Sequence, residues 1–304
     1  MKNIKYKIQK EERASFRSWR WRKRGLLHFA LSILYFAFPH LTGCAPEQPL
    51  APPLTPSVLF SDPELDAAVR HALLKSRKDN LLPSDLARLK WFSADMRGIT
   101  DLEGIQNLTS LTHLILSRNQ IENISPLSKL TSLTLLYLNN NRVRDISPLS
   151  TLTSLGTLDV AGNQVRDISA LSGLKNLWLF YANGNRIDDL TPLSGLTQLE
   201  IVRLSNNEIA DIAPLSEMVA LNTLTLGGNR IEDIAPLAGL TALRYLDLAG
   251  NRISNISPLV DNGGIGAFDT VILNGNPLDG QALSAHISTL KARRVTVTVE
   301  GTGL

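Results

Sequence analysis

Apolar and polar positions between residues 89 and 278 recur with a period of 22 residues. The frame reads Leu-x-x-Leu-x-Leu-x-x-Asn-x-Ile-x-Asp-Ile-Ser-Pro-Leu-Ser-x-Leu-Thr-x, and it carries Asn119, Asn141, Asn163, Asn185, Asn207, Asn229 and Asn251 at one fixed slot. Leu114 and Leu116, two residues apart, predict a short strand whose alternate side chains point inward, with Leu111 flanking it. Ile121, Ile124, Leu127 and Leu130 then fill a return path. The same eight slots run through all seven regular copies, with Phe180, Ala182, Met218 and Asn262 as the less usual occupants. A unit of this size cannot bury its own apolar face, so neighbouring copies must share one core. The pattern predicts an α/β chain: a right-handed solenoid with a parallel sheet on its concave face and short helical turns on its convex side.

Two polar slots inside the frame need a physical account. The Asn is expected to point inward, its amide bonding backbone groups in loops that have no ladder partner. Asp145, Asp167, Asp189, Asp211 and Asp233 precede Ile-Ser/Ala-Pro-Leu or its variants. One acid per 22 residues does not make the six to eight oxygens of a hard-cation shell. The preferred reading is that each accepts backbone N–H bonds at a turn which Pro148, Pro192, Pro214 or Pro236 directs into a short helical turn. No metal and no cofactor is expected.

The ends depart from the frame. Residues 59–88 read as a helical cap: Ser61, Asp62, Pro63 and Glu64 make a helix start, and Leu65, Ala68, Val69, Ala72 and Leu73 form a stripe at helical spacing. Ser84 to Arg88 suits a second short turn. A degenerate first unit follows, with Leu89, Phe92, Ala94, Ile99, Leu102, Ile105 and Leu108 in frame and Arg97 where Asn is expected. The last unit inserts three residues within Val260 to Ala267, read as a loop, before Phe268, Val271, Leu273, Asn276 and Leu278 resume the frame. Residues 279–304 form the other cap, with a helix expected over Asp279 to Leu290 and a final edge strand over Val295 to Val299.

Charge changes the picture only at the start of the chain. Residues 1–24 hold ten Lys/Arg against two Glu, which leaves 21 basic and 26 acidic residues, a formal −5, for the remainder of the 304-residue chain. A mildly acidic body argues against nucleic acid, because phosphate binding needs Lys/Arg clustered on the folded surface. After the basic stretch comes an apolar segment, Leu26 to Phe38, and then Leu41-Thr42-Gly43-Cys44. Residues 1–43 read as a secretory signal, too short for a membrane span of ~20 residues. The four residues ending at Cys44 resemble a bacterial lipobox, which implies lipidation of Cys44 and a membrane anchor through it. Residues 44–58 are Pro-rich and cannot form a packed element. At ~3.1 Å per residue, residues 45–57 give a tether of about 40 Å. Cys44 is the chain's one cysteine, so no intramolecular disulfide forms and stability comes from packing.

The eight slots in seven in-register copies resemble the leucine-rich repeat family, in the 22-residue class of internalin-type bacterial surface proteins and of a regulatory subunit of protein phosphatase-1. The resemblance covers residues 89–278. Internalins also carry an immunoglobulin-like domain and often a wall-sorting signal after the repeats, and neither pattern is legible in residues 279–304. What the resemblance implies is a protein ligand on the concave face. Outward strand positions lie six and four residues before each Asn. They place Trp91, His113, Leu135, Tyr137, Leu179, Tyr181, Ile201, Arg203, Tyr245 and Asp247 on that face, with Leu135, Tyr137, Leu179, Tyr181 and Ile201 as a contiguous solvent-facing apolar and aromatic area. Arg142, Arg186, Arg230 and Arg252 follow their Asn residues on one rim, open either to acidic ligand groups or to solvent. The expected role is that of an exported, lipid-anchored, monomeric envelope protein that binds a protein. The alternatives are a structural envelope lipoprotein and a regulator that covers a partner enzyme. Enzyme chemistry is not expected: His71, His113 and His286 share no catalytic or metal-ligand spacing, and no Gly-x-Ser-x-Gly, His-Glu-x-x-His or phosphate-loop motif occurs.

Overall fold

The computed structural model describes residues 57–299. The signal segment, Cys44 and nearly all of the tether lie outside the described residues. Ten three-residue strands form one parallel sheet in sequence order: β1 (Trp91–Ser93), β2 (His113–Ile115), β3 (Leu135–Tyr137), β4 (Thr157–Asp159), β5 (Leu179–Tyr181), β6 (Ile201–Arg203), β7 (Thr223–Thr225), β8 (Tyr245–Asp247), β9 (Thr270–Ile272) and β10 (Thr296–Thr298). From β1 to β8 each strand pairs with the residue 22 positions on, His113 with Leu135 and Tyr181 with Arg203, so the sequence period is the sheet register. The middle residue of each inner strand points into the core: Leu114, Leu136, Leu158, Phe180, Val202, Leu224 and Leu246 are at most 1% exposed. One continuous apolar cluster runs from Phe60 to Val295.

The return paths are single 3-10 turns such as Ser125–Lys129 and Ser147–Thr151, most with Pro at the second position. Asp145, Asp167, Asp189, Asp211 and Asp233 each accept the N–H two residues on, at 2.7–2.8 Å, as the sequence predicts. Hydrogen-bonded strands stand ~4.8 Å apart. The turns opposite touch without a ladder between them, so the sheet takes the inner curve.

The Asn column joins the repeats. Asn207 donates through Nδ2 to the carbonyls of Ala182 and Leu204, both at 3.0 Å, and accepts from the N–H of Ile187 at 3.0 Å. Every Asn from 119 to 251 makes the same three contacts, one carbonyl 25 residues back and one amide 20 back, and is 6–9% exposed. At Asn276 the offsets are 28 and 23, so the three inserted residues lengthen a loop and leave the bonds intact. The residue before each Asn is left-handed (φ 55–70°), a conformation costly for most L-residues. Gly or Asn fills that slot from residue 140 to 275, and Met96 and Arg118 fill it in the first two units.

Helix α1 (Pro63–Leu73) closes the N-terminal end. Leu65, Ala68 and Val69 are buried, but Ala72 is exposed and Leu73 only half-buried. The expected stripe therefore covers less than its length. The last turn keeps only Leu73 against the core and ends at Leu74, left-handed and 93% exposed. Asp62 ties this cap down: Oδ1 accepts from Glu64 and Leu65 of α1, and Oδ2 accepts from the N–H groups of Thr100 and Asp101 in the first repeat. Helix α2 is Pro83–Leu86. The return turn after β8 lengthens into α3 (Ser257–Asp261), so the expected loop begins at Asn262, whose fully buried amide bonds the carbonyls of Leu237 and Leu240. At the far end a π turn (Ala282–His286) leads into α4 (Ile287–Ala292), which ends two residues later than expected, and β10 pairs parallel with β9.

Asn207→Ala would strand one buried N–H and two carbonyls and is expected to cost about 3 kcal/mol, at 1–3 kcal/mol per unsatisfied group, read as a lower urea midpoint. For Asp62, burial alone would raise the pKa, but the N–H groups of Thr100, Leu65, Asp101 and Glu64 outweigh it and hold the carboxyl below its usual value. Its contribution is complete above the unfolded pKa of about 4 and is lost as pH falls through the lower folded pKa. Asp62→Ala is expected to cost about 2 kcal/mol at neutral pH and to flatten the acid limb of the stability curve. An unchanged acid limb would show that the cap is held by packing alone.

Candidate concave binding face

Strand alternation brings the sequence-predicted residues to one surface, opposite the core-facing Phe92, Leu114, Phe180 and Val202. Trp91 stands on β1 at 48% exposure, His113 on β2, Leu135 and Tyr137 on β3, Leu179 and Tyr181 on β5, Ile201 and Arg203 on β6, and Tyr245 and Asp247 on β8. The register places Tyr137, Asp159, Tyr181, Arg203, Thr225 and Asp247 side by side in one row across β3 to β8.

Two members differ from expectation. Leu179 and Ile201 are 2% and 3% exposed and are not solvent-facing. Neither belongs to the main core cluster, so they are buried from the concave side, beneath larger neighbours on that face. Thr157, their counterpart on β4, is 5% exposed. The face thus has two rows, a buried floor of Thr157, Leu179 and Ile201 and, two residues on along the strands, an upper, more exposed row that includes Tyr137, Tyr181 and Arg203.

The upper row is electrostatically organised. The Arg203 guanidinium lies 4.7 Å from the centroid of the Tyr181 ring, a cation–π contact made while Arg203 remains exposed. Burial raises the Tyr181 hydroxyl pKa, with Arg203 pulling it down and Asp159 pushing it up. Burial also raises the Asp159 carboxyl, against the N–H of Ala161 and the charge of Arg203. Asp159 Oδ1 accepts from Ala161 N–H at 2.9 Å, and Asp247 Oδ1 accepts from Ala249 N–H at 3.0 Å, so both carboxylates are held in the same way. Room for Asp247 depends on Gly227. A Cβ there would stand 3.2 and 3.4 Å from the two carboxylate oxygens.

Trp178 is a residue that sequence reasoning missed. It precedes β5, half-buried, and lies over Gly156, where a Cβ would be 3.2 Å from the indole Cδ1 and Nε1. The signal for it was a Gly directly followed, one repeat later, by Trp in the slot that precedes each strand. His113 Nδ1 is 2.9 Å from Thr112 Oγ1.

Of the rim arginines, three pair within the protein: Arg142 with Gln120 (2.9 Å) and Glu122 (3.9 Å), Arg230 with Glu208 (3.0 Å) and Arg252 with Glu232 (3.5 Å). Such exposed pairs are worth ~0–1 kcal/mol each and leave little net charge for a ligand. A shallow depression of about 360 Å³ lies among these loops, lined by Glu122, Ser125, Arg142, Arg144, Asp145 and Pro148. Among the described residues no group of three His, Cys, Asp or Glu side chains is placed to hold a metal ion.

Comparison with known proteins bears on this geometry. A family model for paired leucine-rich repeats matches residues 131–176, 172–217 and 219–261. The chain is 34% identical to internalin C2 of Listeria monocytogenes, over 81% of its own length and 98% of that chain, with a TM-score of 0.67. The chain belongs to the internalin-like leucine-rich repeat family. A leucine-rich repeat protein of Leptospira interrogans is similar in fold (18% identity, TM-score 0.60, over 72% of this chain and 63% of that one). So is the leucine-rich repeat ectodomain of the Arabidopsis thaliana receptor kinase GASSHO1, solved in complex with Casparian strip integrity factor 2 (23% identity, TM-score 0.51, over 58% and 23%). No curated protein matches the chain. Leucine-rich repeat proteins commonly mediate protein–protein interaction, and this internalin-like chain presents a sheet face of the kind that serves it.

Proposed function

We propose that this is a non-catalytic, exported cell-envelope protein that binds a protein ligand on the concave face of its repeats as a monomer. The observation that carries the reading is the row of aromatic and charged side chains from Tyr137 to Asp247, set on consecutive strands of one hydrogen-bonded sheet. Tyr and Arg are the residue types that most often anchor protein interfaces, since each offers large contact area with directional bonding. The contact of Arg203 with the Tyr181 ring and the N–H bonds to Asp159 and Asp247 restrain these side chains, which lowers the entropy lost on association. Trp91, His113 and Leu135 extend the surface toward the N-terminal edge, and Trp178 adds to it beside β5.

The signal-like residues 1–43 support export, and Leu41-Thr42-Gly43-Cys44 supports lipidation of Cys44. The chain would then sit on the outer membrane of a Gram-negative cell or on the outer face of the cell membrane otherwise, with residues 44–58 holding the repeats off the bilayer. No described helix is long and apolar enough to cross a membrane.

The purified full-length chain is expected to capture a protein from envelope extracts, and a Tyr137→Ala/Tyr181→Ala/Arg203→Ala variant with an unchanged circular dichroism spectrum is expected to lose it. Loss of two or three such anchors, at ≥ 2 kcal/mol each, weakens binding by at least about a thousandfold. Equal recovery by both proteins would move the site off the concave face. Cys44→Ala is expected to accumulate uncleaved precursor and to abolish incorporation of labelled palmitate. Unchanged processing would remove the lipid anchor from this reading.

A further inference from the structure

Three charged side chains in the concave row are held in place yet none makes a direct ion pair among the described residues. Asp159 on β4 and Asp247 on β8 are each fixed through Oδ1 by the N–H two residues on. Neither has an ion-pair partner among the described residues, so Oδ2 of each is left for an incoming donor. Arg203 on β6 has its position set by the Tyr181 ring and likewise pairs with no carboxylate among the described residues. The register runs Asp159, Tyr181, Arg203, Thr225, Asp247, so the three charges fall on alternate strands. Two strand steps of ~4.8 Å make about 9.6 Å between the strand positions that carry successive charges, in the order minus, plus, minus.

That spacing selects the shape of what lies across it. A polyproline-II segment has three residues per turn and ~3.1 Å rise, so residues i, i+3 and i+6 share one face at about 9.3 Å intervals. A β-strand places i and i+3 on opposite faces and repeats its facing side chains at about 6.7 Å, which fits neither one strand step nor two. Polyproline II also has no internal hydrogen bonds, and its carbonyls seek outside donors. Thr225 stands between Arg203 and Asp247 in the register, and its Oγ1 is buried and has no hydrogen-bond partner. Tyr137 and Tyr181 flank Asp159, and Tyr245 lies two residues before Asp247 on the same face, so each carboxylate has aromatic rings beside it. Grooves lined by such rings are how Pro-rich segments are bound elsewhere. The same rings favour a cation at each carboxylate.

We infer, resting on the concave-face reading above, that the ligand segment is a polyproline-II stretch with basic, acidic and basic side chains at positions i, i+3 and i+6, set against Asp159, Arg203 and Asp247. Burial already pushes the Asp159 carboxyl toward its neutral form, and a ligand cation would reverse that push by supplying the counter-charge.

The test uses two fluorescein-labelled peptides with blocked ends, Lys-Pro-Pro-Glu-Pro-Pro-Lys and its charge-reversed counterpart Glu-Pro-Pro-Lys-Pro-Pro-Glu, titrated with the full-length chain and read by anisotropy at low ionic strength. The first peptide is expected to bind at least tenfold more tightly, with the preference shrinking as salt rises. A charge-swapped Asp159→Lys/Arg203→Glu/Asp247→Lys variant should invert the preference. Should that variant misfold, Asp159→Asn/Arg203→Gln/Asp247→Asn keeps the Oδ1 contacts to Ala161 and Ala249 and should bring the two peptides to within about twofold of each other. Equal binding of both peptides by the unaltered chain, binding of neither, or a preference that survives neutralisation overturns the charge frame. A chain that still captures a protein through Tyr137, Tyr181 and Arg203 while failing these titrations loses this inference alone and keeps its binding face.

Discussion

Everything in this molecule depends on a buried amide that bonds three backbone groups belonging to two successive repeats. Where each strand ends and the chain turns toward the convex side, the parallel ladder stops, and carbonyls and N–H groups are left inside the protein. An unsatisfied buried group costs roughly 1–3 kcal/mol, so the stack cannot form without a partner for them. The Asn side chain offers donors and an acceptor on one short stem. It reaches the carbonyl of its own strand exit and that of the previous repeat with Nδ2, and it receives an N–H of the previous repeat at Oδ1. Asp lacks the donor and Gln adds a methylene that the close packing leaves no room for. The offsets of 25 and 20 residues follow from one repeat length plus or minus a few positions, and so the amide enforces the period.

The ends show what the constraint demands when a neighbour is missing. In the first unit Arg97 occupies the Asn slot and is exposed, because no preceding repeat offers a carbonyl to bond. Asp62, from the cap helix, does the corresponding work from outside: its Oδ2 takes the N–H groups of Thr100 and Asp101 while Oδ1 caps α1. An acid is suitable here because only N–H groups need partners. At the other end Asn276 makes the last complete set of bonds, and Asp279 accepts the N–H of Ala282 at 2.6 Å where the closing helix starts.

The repeat architecture was legible in the sequence because each apolar slot is read many times over, and one unusual occupant cannot hide the period. The acids before each turn, the inward Asn and the final edge strand were legible for the same reason. Features that occur once were read less well. The exposure of Ala72 depends on where α1 runs out of repeat to cover. The burial of Leu179 and Ile201 depends on the size of concave neighbours, and a period-two pattern assigns a side chain to a face without saying what else lies over it. Trp178 sits one residue before its strand, outside the alternation that defined the concave columns, and its placement over Gly156 is a contact between different repeats.

The concave face is therefore less independent of the fold than a list of outward positions implies. Gly156 and Gly227 are glycines for the sake of the neighbours one repeat on, Trp178 and Asp247, and a Cβ at either would crowd them. Leu179 and Ile201 bury apolar surface without joining the main core. Each contact fixes a side chain before any ligand arrives, and a rotamer-rich side chain held in advance saves roughly 0.5–1.5 kcal/mol of ordering on association. In a solenoid, where each repeat touches only its neighbours, such restraint must be built locally, strand by strand. It is concentrated from β4 to β8, where the carboxylates, the stacked arginine and the buried floor coincide. The strands outside that stretch carry the same core slots and the same amides, so the part of the sheet that differs from a bare scaffold is also the part that the proposed function assigns to the ligand.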